Sequence, residues 1–198
     1  MKLYRPATVL VGILFVLLGG LTRLADPANV YDDATRVVKH GTIGEALPFG
    51  GSTVAVDRVK FARSYLSDEG SDSKSIESGG IFVAIEYDTV QGTEPTPGRE
   101  LQLSTNEGTV YEPISDTYGS QLDFAAPGFG VTGAVLFEVN PADVEELTLR
   151  VRTSQLYNVL AQDVTVDLGI PDEKIAQRLI DAAAPEYLIP RSITRVAS

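Results

Sequence analysis

The side chains best suited to chemistry in this sequence are carboxylates, and the groups that usually work beside them are scarce. One histidine, His40, and no cysteine stand among 198 residues, against 27 Asp and Glu. A Ser-His-Asp triad needs an imidazole between nucleophile and orienting acid. His40 precedes the first strong strand-like run and reads as a solvated linker residue. Without thiolates there is no disulfide, no cysteine nucleophile, no thiolate zinc site and no cysteine for lipid attachment.

Oxygen-ligand sites for a hard cation remain. Asp68, Glu69 and Asp72 lie together in SDEGSDSKSIESGG, Ser67 to Gly80, and are the candidate calcium ligands. The spacing of an EF-hand loop is absent, and a solvated acidic loop is the commoner use of such a run. Paired carboxylates of the glycosidase type need two acids at a defined separation, and nothing in the sequence singles out a pair. The glycine-rich pieces Phe49-Gly50-Gly51-Ser52 and Ala126-Pro127-Gly128-Phe129-Gly130 lack the strand-to-helix context of a phosphate loop and read as turns. Tyr65, Tyr87, Tyr111, Tyr118, Phe124 and Phe129 could stack on a sugar, but in a chain without Trp most are expected in the core or in strand pairs. The expectation is therefore a protein without catalytic residues or cofactor.

Charge narrows the partners. Three of the 16 basic residues, Lys2, Arg5 and Arg23, precede the first acidic residue, Asp26, so the remainder carries 13 basic against 27 acidic residues, a net charge of −14. Nucleic-acid backbones are bound through clustered Lys and Arg, so nucleic acid is not expected as a partner. The composition, 43% hydrophobic and 22% charged with 18 Gly and 11 Pro, is that of a turn-rich globular chain.

The run ATVLVGILFVLLGGL, Ala7 to Leu21, follows Lys2 and Arg5 and is apolar on every side. As a helix it reaches only about 22 Å against ~30 Å of hydrocarbon, or about 27 Å when extended to Leu24 with Arg23 snorkelling. A cleavable signal would want small residues before the cut, and cleavage after Ala25 places Arg23 three residues before it. An uncleaved anchor, residues 1–25, is the expectation, with a cleaved, secreted form as the alternative. The positive flank leaves the short N-terminus cytoplasmic and the remainder outside.

Residues 26–40 read as a polar spacer. From about Gly41 short β-prone runs alternate with turn residues, the pattern of a sandwich or barrel. Thr53 to Val59 places Val54, Val56 and, after an irregularity, Val59 inward. Ile81 to Val90, IFVAIEYDTV, is the strongest strand and is expected near the centre of a sheet. Asn106-Glu107-Gly108 joins Leu101–Ser104 to Thr109–Glu112 as a hairpin. Val131–Val139, Leu147–Val151 and Val159–Leu168 are later strands, with a capped helical turn at Asn140-Pro141. Ser67 to Gly80 is expected as a loop. In residues 170–198 the period changes: Asp172 and Glu173 open a short amphipathic helix with Ile175, Leu179 and Ala182 or Ala183 on one face, docked on the sandwich.

The strand texts together resemble a known bacterial module. Gly44-Glu45, the run FVAIEYDTV, Glu107 to Pro113, Pro127-Gly128 with Gly133, Phe137-Glu138-Val139 with Pro141, and Leu147 to Val151 fall in its order. The family is the small immunoglobulin-like domain of unassigned function found on bacterial lipoproteins, membrane-anchored surface proteins and secreted antigens. The likeness spans about Gly41 to Val151. Gln91-Gly92 replaces the polar residue after the central strand, the lipid-attachment Cys is missing, and the tail from Thr153 has no counterpart. The resemblance implies an immunoglobulin-like antiparallel β-sandwich over residues 41–169 and a place at the cell surface, and it implies no activity.

The reading that follows is a membrane-anchored, extracytoplasmic, non-catalytic module that meets the bilayer through its N-terminal helix and binds a protein or envelope component. A small-ligand or calcium receptor and a structural accessory subunit of a membrane complex are the alternatives.

Overall fold

The computed structural model describes residues 36–66, 74–94, 96, 98–115, 120–153 and 162–197. The chain divides between Arg36 and Val37, and the architecture is that of the unit from Val37 onward. The apolar run expected as an anchor lies outside the described residues. Among those that are described, no helix is long and apolar enough to cross a membrane.

In chain order the elements are β1 (Val37–Thr42), β2 (Leu47–Phe49), β3 (Ser52–Leu66), β4 (Ser75–Val90), β5 (Arg99–Ser104), β6 (Val110–Tyr111), β7 (Phe129–Val139), a 3-10 turn (Pro141–Asp143), β8 (Thr148–Thr153), β9 (Gln162–Asp167), α1 (Glu173–Asp181), β10 (Tyr187–Leu188) and β11 (Ile193–Val196). One sheet has the order β1-β9-β8-β5-β6. The other has the order β10-β3-β4-β7-β11, with β2 paired to β3. The protein is thus a two-sheet β-sandwich, and IFVAIEYDTV lies between β3 and β7 as its density of β-branched and aromatic residues implied.

The alternation of β3 shows why the sheets face as they do. Val54 and Val56 are buried, the register to β4 shifts between Val56 and Arg58, and Val59 and Phe61 then take over the inward positions. Asp57 is the extra residue of this β-bulge, and it inverts which parity faces the core. Opposite, Ile81, Val83, Ile85 and Tyr87 of β4 pack inward against Leu103, Leu149, Val151, Val164 and Val166 of the other sheet. Each fully buried side chain of this size contributes about 1.5–3 kcal/mol. Gly50 (φ 57°) and Gly51 (φ 80°) form the two-residue loop between β2 and β3, where both positions require the left-handed region.

Helix α1 begins where its sequence says. Asp172 caps it, the side chain accepting from Ile175 N–H at 2.8 Å, and Ala176 is buried while Ile175, Leu179, Ile180 and Ala183 pack against the main core.

Four expectations change. The strand β1 starts at Val37, inside the stretch read as spacer, and pairs with β9. That pairing and β10 with β3 are parallel, so the sandwich is not wholly antiparallel. Ser75 to Gly80, read as loop from its Ser, Gly and acid content, extends β4. There Ser75 Oγ donates to Ser64 Oγ at 3.0 Å, and Gly80 meets the backbone of Val139 so closely that a Cβ would lie 2.5 Å from its carbonyl oxygen. Finally, the tail belongs to the sandwich: β10 joins the β3 edge and β11 the β7 edge.

This tail buries the second face of its sheet. Tyr187 and Ile189 pack with Ala62, Tyr65, Phe82, Ala84, Ala134 and Leu136, forming a smaller core on the side of β3-β4-β7 away from the other sheet. Buried residues on both faces of β4 and β7 follow from it.

Candidate functional site

On that outer face the apolar cover ends and charge begins. Residues two apart on a strand share a face, so Glu86 and Asp88 of β4 continue the row of Phe82 and Ala84. After the bulge, β3 presents Arg58 and Lys60 to the same row, with Arg58 directly opposite Glu86.

Glu86 takes Arg58 Nη2 at 2.8 Å and Lys60 Nζ at 2.7 Å, and Tyr187 Oη donates to it at 3.2 Å. Burial pushes the Glu86 carboxyl up, but Lys60 and Arg58 outweigh burial and hold it below its ordinary value. Tyr187 moves the other way: burial, then the adjoining Glu86 charge, raise its phenol, which stays a neutral donor. Lys60 Nζ also lies 5.7 Å from the Tyr187 ring centroid, a cation–π distance.

Asp88 pairs with Arg195 of β11 through Oδ2. Its Oδ1 is buried and has no hydrogen-bond partner among the described residues. Asp57, aimed outward by the bulge, is raised from the usual carboxylate value by burial and by repulsion from Asp88 and Glu86, partly countered by Arg58 and Arg195.

Beside these groups opens a cavity of about 330 Å³, walled by Asp57, Arg58 and Glu86 on one side and by Pro190, Arg191 and Ile193 of the tail on the other, with Thr132 and Gly133 also lining it. At Gly133 a Cβ would lie 2.6 Å from Tyr87 Oη, so glycine makes room for the tyrosine, whose hydroxyl accepts from Asp123 N–H at 3.0 Å. Ser192 Oγ donates to Asp123 Oδ2 at 2.7 Å. The surface alternates in sign, with Arg58, Lys60 and Arg195 engaged by Glu86 and Asp88.

A second cavity, of about 420 Å³, lies at the turn between β5 and β6 and is lined by Thr105, Asn106, Glu146, Arg150, Asp167 and others. Glu146 has φ 53°, held by the bond from its N–H to Ile170 O at 2.7 Å.

The residues singled out from sequence sit elsewhere. Asp68, Glu69, Asp72 and Tyr118 lie outside the described residues. His40 is exposed on β1. Tyr65 and Tyr87 are buried in the two cores, Tyr111 and Phe124 pack partly buried against the main core, and Phe129 is 40% exposed. Phe49 to Ser52 and Ala126 to Gly130 are turns leading into β3 and β7, the second closed by Phe129 N–H to Ala126 O at 3.0 Å. Among the described residues, no three His, Cys, Asp or Glu side chains converge on a metal position. The outer-face acids were missed, yet one signal marks them: Glu86 and Asp88 interrupt an otherwise apolar strand at a spacing of two, which sets both on one face.

No protein-family model and no curated protein matches the chain. Among solved structures it is similar to the yjhA protein from Bacillus subtilis, with 16% identity over 64% of this chain and 99% of that one and a TM-score of 0.46. It is also similar to an uncharacterized β-sandwich protein from Clostridium difficile 630, with 11% identity over 66% of this chain and 95% of that one and a TM-score of 0.36.

Proposed function

We propose that the protein is a non-catalytic binding module of a bacterial envelope, its immunoglobulin-like sandwich held outside the membrane by the N-terminal apolar segment, and that it recognises a protein or envelope component. One observation carries the binding reading. On the outer face, carboxylates and cations alternate around a cavity of about 330 Å³, and Asp88 keeps one carboxylate oxygen without a hydrogen bond among the described residues, an acceptor for a cationic group of a partner. The apolar run Ala7 to Leu21 behind Lys2 and Arg5 supports the tether.

The test is intact mass, membrane partitioning and sensitivity to protease added outside intact cells. A full-length protein in the membrane fraction that the external protease digests is the expected result. A full-length protein in the soluble cytoplasmic fraction would overturn the location.

A small-ligand receptor is the second reading, favoured by the cavity of about 420 Å³ at the β5–β6 turn, which falls in the size range of small-molecule sites. Its calcium version predicts a rise in melting temperature with millimolar calcium, and an unchanged melting curve would dispose of it.

A further inference from the structure

The tail that covers the outer face has two unequal halves. Tyr187 and Ile189 are 7% and 3% exposed, whereas Ile193 and Val196 are 65% and 73% exposed. The second half is held by the ladder Ile193↔Thr132 to Val196↔Phe129, by Ala197 N–H to Gly128 O at 3.0 Å, and by Arg195 on Asp88. Few buried apolar contacts and an exposed ladder mark a segment that opens before the rest of the fold.

Under this half the sheet edge is shaped for an arginine. Gly130 pairs with Arg195, and a Cβ on it would lie 3.2 Å from Arg195 Cζ and 2.9 Å from Thr89 O. The missing side chain lets the guanidinium lie across the strand to Asp88. That guanidinium engages Oδ2 and leaves Oδ1 buried and, among the described residues, unpaired, while Asp57 beside it has Asp88 and Glu86 as repelling neighbours. A bidentate guanidinium would satisfy both Asp88 oxygens, the stronger form of this pair. The chain's own arginine, tethered through Pro190 to Ser192, makes only the weaker one.

We propose that the β7 edge from Phe129 to Thr132 is an acceptor for an extended, arginine-bearing segment of a protein partner, and that β11 is its exchangeable internal occupant. Main-chain pairing along an edge supplies affinity and a side-chain slot supplies selectivity, as in other strand-addition complexes. The free edge would otherwise invite unselective pairing, so its internal occupant also protects it. This proposal rests on the reading of the chain as a binding module and names the partner chemistry of that same face.

Two measurements on the full-length chain test it. In hydrogen exchange, the β11 amides and their β7 partners are expected to exchange at least about tenfold faster than the amides of Val83 and Ile85 in β4; equal protection would overturn the exchangeable occupant. A fluorescent peptide of residues 191–197 is then titrated into the native chain and its Arg195→Ala variant. The variant is expected to bind it about tenfold more tightly than the native chain, because a competing occupant lowers apparent affinity by the fraction of open sites. The same peptide with alanine in place of Arg195 should fail to bind.

Binding indifferent to that arginine, or absent from both chains, would overturn the slot. A concentration-dependent dimer lost on Arg195→Ala would assign the edge to a second copy of β11 and overturn the partner. The exchange measurement needs no variant, so it decides even if Arg195→Ala does not fold. Cell fractionation tests location alone, so a failed tether and a failed slot are distinguishable.

Discussion

Tyr187 donates its hydroxyl to Glu86 across 3.2 Å, joining a strand at the β3 edge to the middle strand of the sheet over 101 residues of sequence. The same tyrosine ring is buried between Tyr65, Phe82 and their neighbours. One side chain therefore closes the second core and completes the coordination of the outer-face carboxylate.

Two substitutions separate those roles. Tyr187→Phe keeps the ring and removes a hydrogen bond to a charged acceptor, with an expected loss of about 1.5–3 kcal/mol. Tyr187→Ala also empties the ring site and should cost about 3–5 kcal/mol. Urea unfolding of both variants measures the difference, and equal losses would mean that the ring contributes nothing beyond its hydroxyl.

Adjacent glycines in β4 are expected to behave oppositely. A Cβ at Gly80 would lie 2.5 Å from the backbone oxygen of Val139, whereas at Gly79 nothing lies within 4 Å. Gly80→Ala should destabilise by about 1–3 kcal/mol, in the range of overpacked sites. Gly79→Ala should stay within about 0.5 kcal/mol of the parent. Thermal melts of the pair report directly on whether Ser75 to Gly80 is strand, because a solvated loop would accept both.

Acid should weaken the fold through Glu86, and Asp57 should work against that trend. The Glu86 carboxyl is held below its unfolded value, so its stabilisation is present above that value and is lost as pH falls through the lowered one. Asp57 is raised; its charge opposes folding at neutral pH and protonation relieves it as pH falls through the raised value. Glu86→Gln should flatten the acid limb of a stability–pH curve. Asp57→Asn should raise stability at pH 7, by less than about 1 kcal/mol because the group is largely exposed. A fall in stability at pH 7 for Asp57→Asn would contradict the repulsion from Asp88 and Glu86.

Truncation after Gly169 should abolish folding. It removes Ile170, Ala176, Tyr187 and Ile189, all buried, together with the strands on both edges of one sheet. A truncated chain that still gave a cooperative melt would show that β3-β4-β7 tolerates an uncovered outer face.

The cap of α1 gives a smaller and cleaner test. Asp172→Ala removes the acceptor for Ile175 N–H and should cost about 1 kcal/mol, with little effect from Asp172→Asn.

Much of this fold is written locally. The density of IFVAIEYDTV marks a central strand, the alternation of Val54 and Val56 followed by Val59 marks the bulge, and Asp172 with Glu173 marks the helix start. Each is a short-range pattern whose physical cause, one face to bury or one end to cap, acts within a few residues. Composition and the single histidine likewise narrow the chemistry. Periodicity reports that a face is apolar, however, and is silent on what covers it. Only the tertiary structure decided that Ser75 to Gly80 continues β4, because that pairing depends on Ser64 and Val139, which the local composition does not register. Only the tertiary structure set Arg195 over Gly130 onto Asp88 and Tyr187 onto Glu86, because these partners lie more than a hundred residues apart and meet only after the sheet that carries one has accepted the tail that carries the other.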